Sequence, residues 1–213
     1  MHRPSATAEE IGASLELKKG RPLPAFFLAQ STAMLSSFLV LSRRIDRISQ
    51  VAASVAAALV LLCALVSALN AMSRYAFDLS SNAWLELQWY LFGAIVLLGA
   101  PHLLNVNGHV RVDLLYSRLN GRQRVWLDLF GLLLFLMPFS VYMLLASWPW
   151  FVEAWQIQEV SPNAGGLIRW PVKLLLPLGF GLLVLQGGSE IIKRIAALRG
   201  AIALDAHYER PVQ

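Results

Sequence analysis

Four long stretches without charged side chains constrain the fold of this chain more than any other feature of its sequence. They run from Ile48 to Ser73, from Leu87 to Val110, from Leu129 to Val152 and from Leu174 to Ser189. A helix rises about 1.5 Å per residue, so roughly 20 apolar residues cross a hydrocarbon layer about 30 Å thick. The first three stretches exceed that length. The fourth reaches it if the long side chains of Lys173 and Glu190 extend to the two membrane surfaces.

The composition agrees with a membrane protein. Hydrophobic residues make up 57% of the chain, charged residues only 15%, and the mean hydropathy is +0.56, which is far from the composition of an ordinary soluble domain. We therefore predict an all-α integral membrane protein with four transmembrane helices. We expect a cytoplasmic arm and interfacial helix over residues 1–48, a membrane domain over 49–198 and a cytoplasmic tail over 199–213. The spans cover about residues 49–72, 83–105, 124–150 and 170–192.

Residues 22–42 allow two interpretations. This segment carries no charge and is long enough for a fifth span, but polar residues such as Gln30, Ser31 and Thr32 interrupt it. A fifth span would also carry Lys18 and Lys19 to the outer side, against the rule that basic residues stay cytoplasmic. We favour an amphipathic helix that lies on the cytoplasmic surface of the membrane.

The basic residues predict the orientation of the chain. Of the 18 lysines and arginines, 15 precede the first span, lie between the second and third spans, or follow the fourth. The alternate connections contain only Arg74, Arg169 and Lys173. Because basic loops stay in the cytoplasm, both termini are expected there, with the loops around Asp78 and Glu159 outside.

The net charge of +5 therefore reflects membrane topology and contact with anionic lipids, and not nucleic-acid binding. Arginines beside the first span and tryptophans at the ends of the third and fourth are expected at the membrane surfaces, where long basic and indole side chains are enriched. These membrane-interface candidates are Arg43, Arg44, Arg47, Trp148, Trp150 and Trp170.

An alternative function is that of a membrane anchor for a redox complex that binds haem or quinone. Haem needs axial ligands that project inward from facing helices. Two of the four histidines, His2 and His207, lie in the tails, His102 lies near a membrane end and His109 lies beyond it. The single cysteine, Cys63, excludes an internal disulfide and a cysteine metal cluster. We therefore expect no cofactor and no metal.

Glu86 is the acidic residue nearest the start of the second span. A helix N-terminus favours a negative charge, and Ser81 or Asn82 can cap this helix. Neither stands three residues before Glu86, so the reciprocal capping box is out of register. Glu86 consequently needs another partner, either within the bundle or on a second protein, since a charge facing lipid is costly.

The loop after the second span carries a second group of candidates. Gly108 follows the apolar run where a left-handed helix cap is expected, and Asn105 and Asn107 suit the same exit. In the next five residues ionisable side chains alternate with valines, which places His109, Arg111 and Asp113 on one side if the segment is extended. If it is helical, His109 and Asp113 share a face and Arg111 points elsewhere. This segment is expected at the cytoplasmic surface, against the third helix or another protein.

These residues give the chain a resemblance to a known family. Arg74-Tyr75, Trp84 with Glu86, Gly99-Ala100, Glu159-Val160-Ser161 and the His109 to Asp113 segment resemble the DctQ-like small permease subunit of tripartite ATP-independent periplasmic (TRAP) transporters. Trp170-Pro171 and Pro177-Leu178-Gly179 extend the resemblance, which covers about Arg43 to Leu198. The family often has adjacent acidic residues at the start of the second span, whereas here Glu86 stands alone with Gln88 nearby.

The resemblance implies that the chain takes part in transport and is not an enzyme. Such a subunit lies in the bacterial inner membrane, in contact with lipids, and anchors a large permease subunit during ion-coupled uptake of an organic acid or related solute. A periplasmic substrate-binding protein delivers that solute. The residues with expected structural or partner-contact roles are Arg74, Trp84, Glu86, His109, Arg111, Asp113, Glu159 and Ser161.

Overall fold

The computed structural model describes the backbone of residues 25–79, 81–108 and 119–199, and their side chains from Ser37 onward. These residues form helices, and the extended pairing among them is a single antiparallel bridge between Val160 and Ile168. The predicted all-α fold is confirmed. In chain order the elements are α1 (Ala25–Phe77), α2 (Asn82–Asn105), α3 (Gly121–Gly131), a π-helical turn (Leu132–Leu136), α4 (Met137–Gln156) and α5 (Trp170–Leu198).

Four helical segments are long and apolar enough to cross a membrane, as the sequence predicts. They are Ser37–Phe77, Asn82–Asn105, Gly121–Gln156 and Trp170–Leu198. The third combines α3, the π-helical turn and α4 into 36 residues, well beyond the roughly 20 that one crossing needs. Its length requires a tilt or an extension beyond the hydrocarbon layer.

The chain divides into two compact units, residues 1–38 and 39–213. In the first unit the backbone is helical from Ala25. In the second unit α1 buries Ser42, Ser49 and Ala56. These residues recur at every seventh position, which is about two helical turns, so they lie along one narrow stripe of the helix. Residues 22–24 lie outside the described residues, and α1 begins at Ala25. The position of residues 22–42 on the cytoplasmic surface of the membrane stays a prediction.

Helix α5 packs closely against two neighbouring helical segments through glycines. A Cβ atom added at Gly179 would lie 2.7 Å from Leu97 Cβ in α2, and one added at Gly187 would lie 2.8 Å from Met137 Sδ in α4. Real Cβ atoms do not approach other atoms this closely. Missing side chains at crossing points let helix backbones come together in a membrane, where packing drives association. The two glycines therefore fix α5 against α2 and α4.

Pro138 explains the π-helical turn between α3 and α4. Proline has no amide hydrogen, and its ring collides with the carbonyl group four residues earlier in a regular α-helix. The turn Leu132–Leu136 ends immediately before Met137-Pro138, where α4 begins. The wider π-helical turn accommodates the proline without ending the long helical segment.

The end of α2 differs in detail from its prediction. The left-handed residue is Asn107, with φ of 53°, and not Gly108, because asparagine tolerates this conformation better than most residues. The Gly108 amide donates a hydrogen bond to the Leu103 carbonyl at 2.9 Å. A Cβ added at Gly108 would lie 2.5 Å from Leu103 Cδ1. A larger residue at this position would therefore require the Leu103 side chain to move.

Candidate functional site

Polar side chains of the four-helix unit gather at its two ends. We call the end where α1 and α4 finish and where α2 and α5 begin the Glu86 end. The opposite end, where α2 and α5 finish and where α3 begins, is the Lys193 end. Each end holds one cluster of hydrogen bonds and ion pairs between distant parts of the chain.

At the Glu86 end, the loop between α4 and α5 folds back on itself as a short hairpin. The Ser161 amide donates to the Leu167 carbonyl at 2.9 Å, and the Arg169 amide donates to the Glu159 carbonyl at 2.8 Å. At the tip Gly165 has φ of +70°, a conformation that glycine adopts without steric cost. The backbone of the loop is therefore largely satisfied within the loop itself.

The Glu86 side chain from α2 holds this hairpin. Glu86 is only 5% exposed. One carboxylate oxygen accepts hydrogen bonds from the Ser161 hydroxyl and from Asn163 Nδ2, the latter at 2.7 Å, and the other accepts the Leu167 amide at 2.8 Å. Charge-assisted bonds of this kind are stronger than those between neutral groups. We call this arrangement the Glu86 clamp.

The start of α2 supports the Glu86 clamp. Ser81 is the N-cap residue, and its hydroxyl accepts the Ala83 amide at 3.3 Å, so capping by Ser81 is confirmed. Asn82 Nδ2 donates to the Ala164 carbonyl at 3.2 Å. The first two turns of α2 and the hairpin are thus joined by four hydrogen bonds that the α2 side chains Asn82 and Glu86 make.

A second acidic residue of the hairpin, Glu159, ties it to the start of α5. Its carboxylate pairs with Lys173 and, at 3.3 Å, with Arg169. The hydrogen bond from Lys173 is the main reason that the pKa of Glu159 lies below its ordinary value, and the positive charges of Lys173 and Arg169 act in the same direction. The Lys173 ammonium also lies 4.2 Å from the ring centre of Trp150, a cation–π distance.

The Lys193 end contains a larger network centred on α5. Lys193 Nζ donates to Asp46 Oδ1 of α1 at 2.8 Å, to Asn105 Oδ1 of α2 at 2.9 Å and to Glu190 at 2.8 Å. Gln186 is fully buried and donates to the same Asp46 oxygen at 2.9 Å. A single lysine therefore joins three helices.

Further polar contacts extend this network along α1 and towards α3. On α1, Ser49 donates to Gln186 Oε1 at 2.6 Å, and the Ser42 and Ser189 hydroxyls lie 2.6 Å apart. Towards α3, Arg194 pairs with Glu190 and reaches Asn107 Oδ1 at 3.2 Å and Asp128 Oδ2 at 3.4 Å. We call the whole set the Lys193 network. It consists of Ser42, Asp46, Ser49, Asn105, Asn107, Asp128, Gln186, Ser189, Glu190, Lys193 and Arg194.

Sequence reasoning missed most of the Lys193 network, although a signal was present. The polar residues of α5 recur at spacings of three and four, which places them on one face of a helix that is otherwise apolar. Residues 42, 46 and 49 of α1 follow the same spacing. Two facing polar stripes at helical spacing indicate a buried contact, since neither can face lipid cheaply. The residues on the α5 stripe are Gln186, Ser189, Glu190, Lys193 and Arg194.

The structure brings together some of the predicted site residues and not others. Glu86 and Ser161 are in direct contact, and Glu159 lies two residues away in the same hairpin. Arg74 lies in the last turn of α1 and Trp84, in the first turn of α2, is 40% exposed. Neither takes part in the Glu86 clamp. The other predicted residues, His109, Arg111 and Asp113, lie outside the described residues.

The tryptophans among the membrane-interface candidates lie towards the ends of α4 and α5. Trp148 and Trp150 are 55% and 46% exposed near the end of α4. Trp170 opens α5 and packs edge-on against Trp155, with ring centres 4.4 Å apart. The other three candidates lie on exposed positions of α1 and are Arg43, Arg44 and Arg47.

Comparison with known proteins identifies the family. No curated protein and no solved structure is similar enough to match. Within the described residues, no group of three or more histidine, cysteine or acidic side chains is placed to hold a metal ion. The model of the DctQ component of tripartite ATP-independent periplasmic transporters matches residues 63–197, which include α2, α4, nearly all of α5 and the whole Glu86 clamp. The match covers more than half of the chain, which therefore belongs to the DctQ family of TRAP transporter components.

Proposed function

We propose that this TRAP small membrane subunit is a static scaffold for the large permease subunit. In this function it anchors the large subunit during ion-coupled uptake of an organic acid or related solute, which a periplasmic binding protein delivers. Membership of the family supports a transport component rather than an enzyme, and a multi-pass protein of the inner membrane. The scaffold function, the ion coupling and the class of solute are our inferences.

The observation that carries the scaffold proposal is that hydrogen bonds and ion pairs hold the charged side chains of the two polar clusters, one at each end of the bundle. At one end Glu86 and Glu159 are held by the hairpin and by α5, and at the other end Lys193 and Arg194 join all four helical segments. A transport site has to bind and release charged solute or ions, which requires polar groups that are available. The charged side chains of these two clusters instead hold the helices and the hairpin together. Such contacts suit a subunit that does not move during transport.

The apolar middle of the bundle supports the same proposal. Between the two polar clusters the helices expose large hydrophobic side chains, among them Leu61 and Leu65 on α1, Phe92 on α2 and Leu133 in the π-helical turn. Such surfaces suit lipid hydrocarbon or the helices of a partner subunit. They do not suit a water-filled path, which needs polar lining.

The proposed orientation places the Lys193 end in the cytoplasm and the Glu86 end in the periplasm. It rests on the basic residues, which are concentrated before the first predicted span, between the second and third spans and after the fourth. The Glu86 clamp then presents a rigid hairpin on the side where the binding protein arrives.

Uptake by cells that express all three components tests the proposal. Initial rates are measured for a panel of radiolabelled organic acids, with and without a sodium gradient, in the presence and absence of this subunit. We expect at least one acid whose uptake needs both the gradient and the subunit. Uptake that is equal in cells with and without the subunit would contradict the scaffold function.

A further inference from the structure

A groove of about 630 Å³ opens on the side of the four-helix unit, between the long α3–α4 segment and the Lys193 end of α2 and α5. Its floor contains Leu104 and Leu132, which are buried, and its rim contains Phe135 and Phe139, which are 65% and 58% exposed. The volume lies within the range of about 300–1,000 Å³ that is typical of ligand pockets. The groove faces outward along segments that span the membrane, so whatever fills it comes from the bilayer or from a partner.

The groove runs along about one leaflet of a membrane. On the α3–α4 segment its lining extends from Asp128 to Ser140, and twelve residues of helix measure about 18 Å. Half of the hydrocarbon layer measures about 15 Å. An extended acyl chain that starts at the membrane surface therefore matches the groove in length.

The size and the apolar lining of the groove suit a single hydrocarbon chain better than a whole helix of a partner protein. A helix with its side chains is about 10 Å across, so a segment 18 Å long occupies roughly 1,400 Å³ and would lie partly outside the groove. A single hydrocarbon chain is narrower and needs no hydrogen-bond partners along its length. The apolar lining of the groove offers few such partners.

The end of the groove nearest the membrane surface is polar. Asn107, Asp128 and Arg194 form this mouth. The Nη atoms of Arg194 are held by Glu190, Asn107 and Asp128, but its buried Nε–H group has no acceptor among the described residues. A buried donor without an acceptor is costly. Small movements of the mouth would let a phosphate or ester oxygen supply that acceptor.

Two arginines precede the mouth residue Asp128 on the same helix. Arg122 and Arg124 lie in the first turn of α3, four to six residues before Asp128, and Arg122 is exposed. That spacing corresponds to about 6–9 Å along the helix, and the four-residue spacing places Arg124 on the same face as Asp128. Arginine at the membrane surface attracts anionic lipids.

From these observations we propose that the groove binds one anionic phospholipid, with an acyl chain along the floor and the phosphate at the mouth. The length and the apolar lining of the groove and the orphaned donor at its polar end all fit a molecule of this shape. The lipid would fill the space under the π-helical turn and complete the packing of α3 and α4 against α5. This inference is independent of the proposed scaffold function.

Gly131 allows a direct test by filling the groove. It lines the groove, and a Cβ added there meets no atom within 4 Å, so a leucine at this position has room only where the acyl chain would lie. Gly93 on α2 is equally open and is not among the described lining residues, which makes Gly93→Leu the matched control. The full chain is reconstituted in vesicles of phosphatidylglycerol and phosphatidylethanolamine in equal amounts, extracted in detergent and washed. Retained phospholipid is then quantified by mass spectrometry.

We expect about one phospholipid per chain in the wild-type protein and in Gly93→Leu, enriched in phosphatidylglycerol over the vesicle composition. Gly131→Leu should retain at least fivefold less. A wild-type protein that retains no phospholipid, or a Gly131→Leu protein that retains as much as the wild type, overturns the proposal. Gly131→Leu is compared only after its helix content by circular dichroism matches that of the wild type. If it fails to fold, the smaller Gly131→Ala and Gly93→Ala pair is used with the same expected order.

The head group is tested by a second pair of variants. Arg122→Gln combined with Arg124→Gln should abolish the enrichment in phosphatidylglycerol while leaving about one phospholipid per chain. Arg43→Gln combined with Arg44→Gln removes the same charge from α1 and should leave the enrichment unchanged. Equal enrichment in both double variants would overturn the anionic head group at this mouth.

Discussion

One carboxylate oxygen of Glu86 accepts the backbone amide of Leu167 at 2.8 Å, although 81 positions separate the two residues. This bond closes the Glu86 clamp, because the same carboxylate also holds Ser161 and Asn163. The clamp fixes the α4–α5 hairpin over the start of α2. The hairpin is therefore bound to α2 by side-chain hydrogen bonds at the Glu86 end.

Replacing Glu86 by glutamine should loosen the hairpin. A glutamine has one acceptor oxygen in place of two, and its amide group would face the N–H donors of Leu167 or Asn163. In a Cys63→Ser background with a cysteine at Pro162, Glu86→Gln should raise the rate of thiol labelling several-fold. Glu153→Gln, which removes an exposed acidic group from α4, is the control and should leave the rate unchanged. Equal rates in both variants would show that the clamp does not order the hairpin.

Replacing Arg194 should destabilise the Lys193 end. Arg194 is 5% exposed and pairs with Glu190, which is 2% exposed. Arg194→Gln leaves a buried carboxylate with less compensation, and removing one partner of a buried ion pair costs about 3 kcal/mol. Arg199→Gln removes the same charge from an exposed position at the end of α5 and should cost less than about 0.5 kcal/mol. Denaturant unfolding in detergent measures both values, and equal values would contradict a structural role for the network.

The pairing of Glu159 predicts a pH dependence. Its pKa is lowered in the folded protein, so its contribution to stability is complete above the ordinary glutamate value of about 4.3. The contribution is lost as the pH falls through the lowered folded-state pKa, where the carboxylate takes up a proton. The difference in melting temperature between wild type and Glu159→Gln should therefore shrink between pH 6 and pH 3. A difference that stays constant over this range would show that the charge of Glu159 does not stabilise the hairpin.

The proposed orientation is tested by cysteine accessibility in intact cells. In a Cys63→Ser background, cysteines placed at Asp78 and at Pro162 should react with a membrane-impermeant reagent added from the periplasm. A cysteine at Arg118 should react only after the cells are opened. Periplasmic labelling at Arg118 would reverse the proposed topology.

Apolar length predicted the four spans because a bilayer of fixed thickness leaves little choice. The register of the capping residues likewise predicted that Glu86 needs a partner beyond its own helix. That register did not identify Ser161, Asn163 and Leu167 as the partners of Glu86. A contact between residues some 80 positions apart leaves no periodic pattern in the sequence. Position alone was also insufficient at the end of α2, where Asn107 takes the left-handed conformation expected of Gly108.

The glycines of α5 show the same limit. Gly179 was recognised as part of a motif, but its close approach to Leu97 depends on how two helices cross. Local sequence does not specify a crossing point, because any small residue on the facing side permits one. The polar stripe of α5 is visible in the sequence, as is the matching polar stripe of α1. Together the two stripes are enough to predict that these helices pack against each other.

Isolation of the complex tests the scaffold proposal most directly. The chain is expressed with its large permease subunit, purified through a C-terminal tag in mild detergent, and weighed by native mass spectrometry. We expect a stable complex with one copy of each subunit, and a lower yield of that complex for Glu86→Gln than for Glu153→Gln. Recovery of the folded small subunit alone, with the large subunit present in the same membranes but absent from the purified sample, would contradict the proposed function.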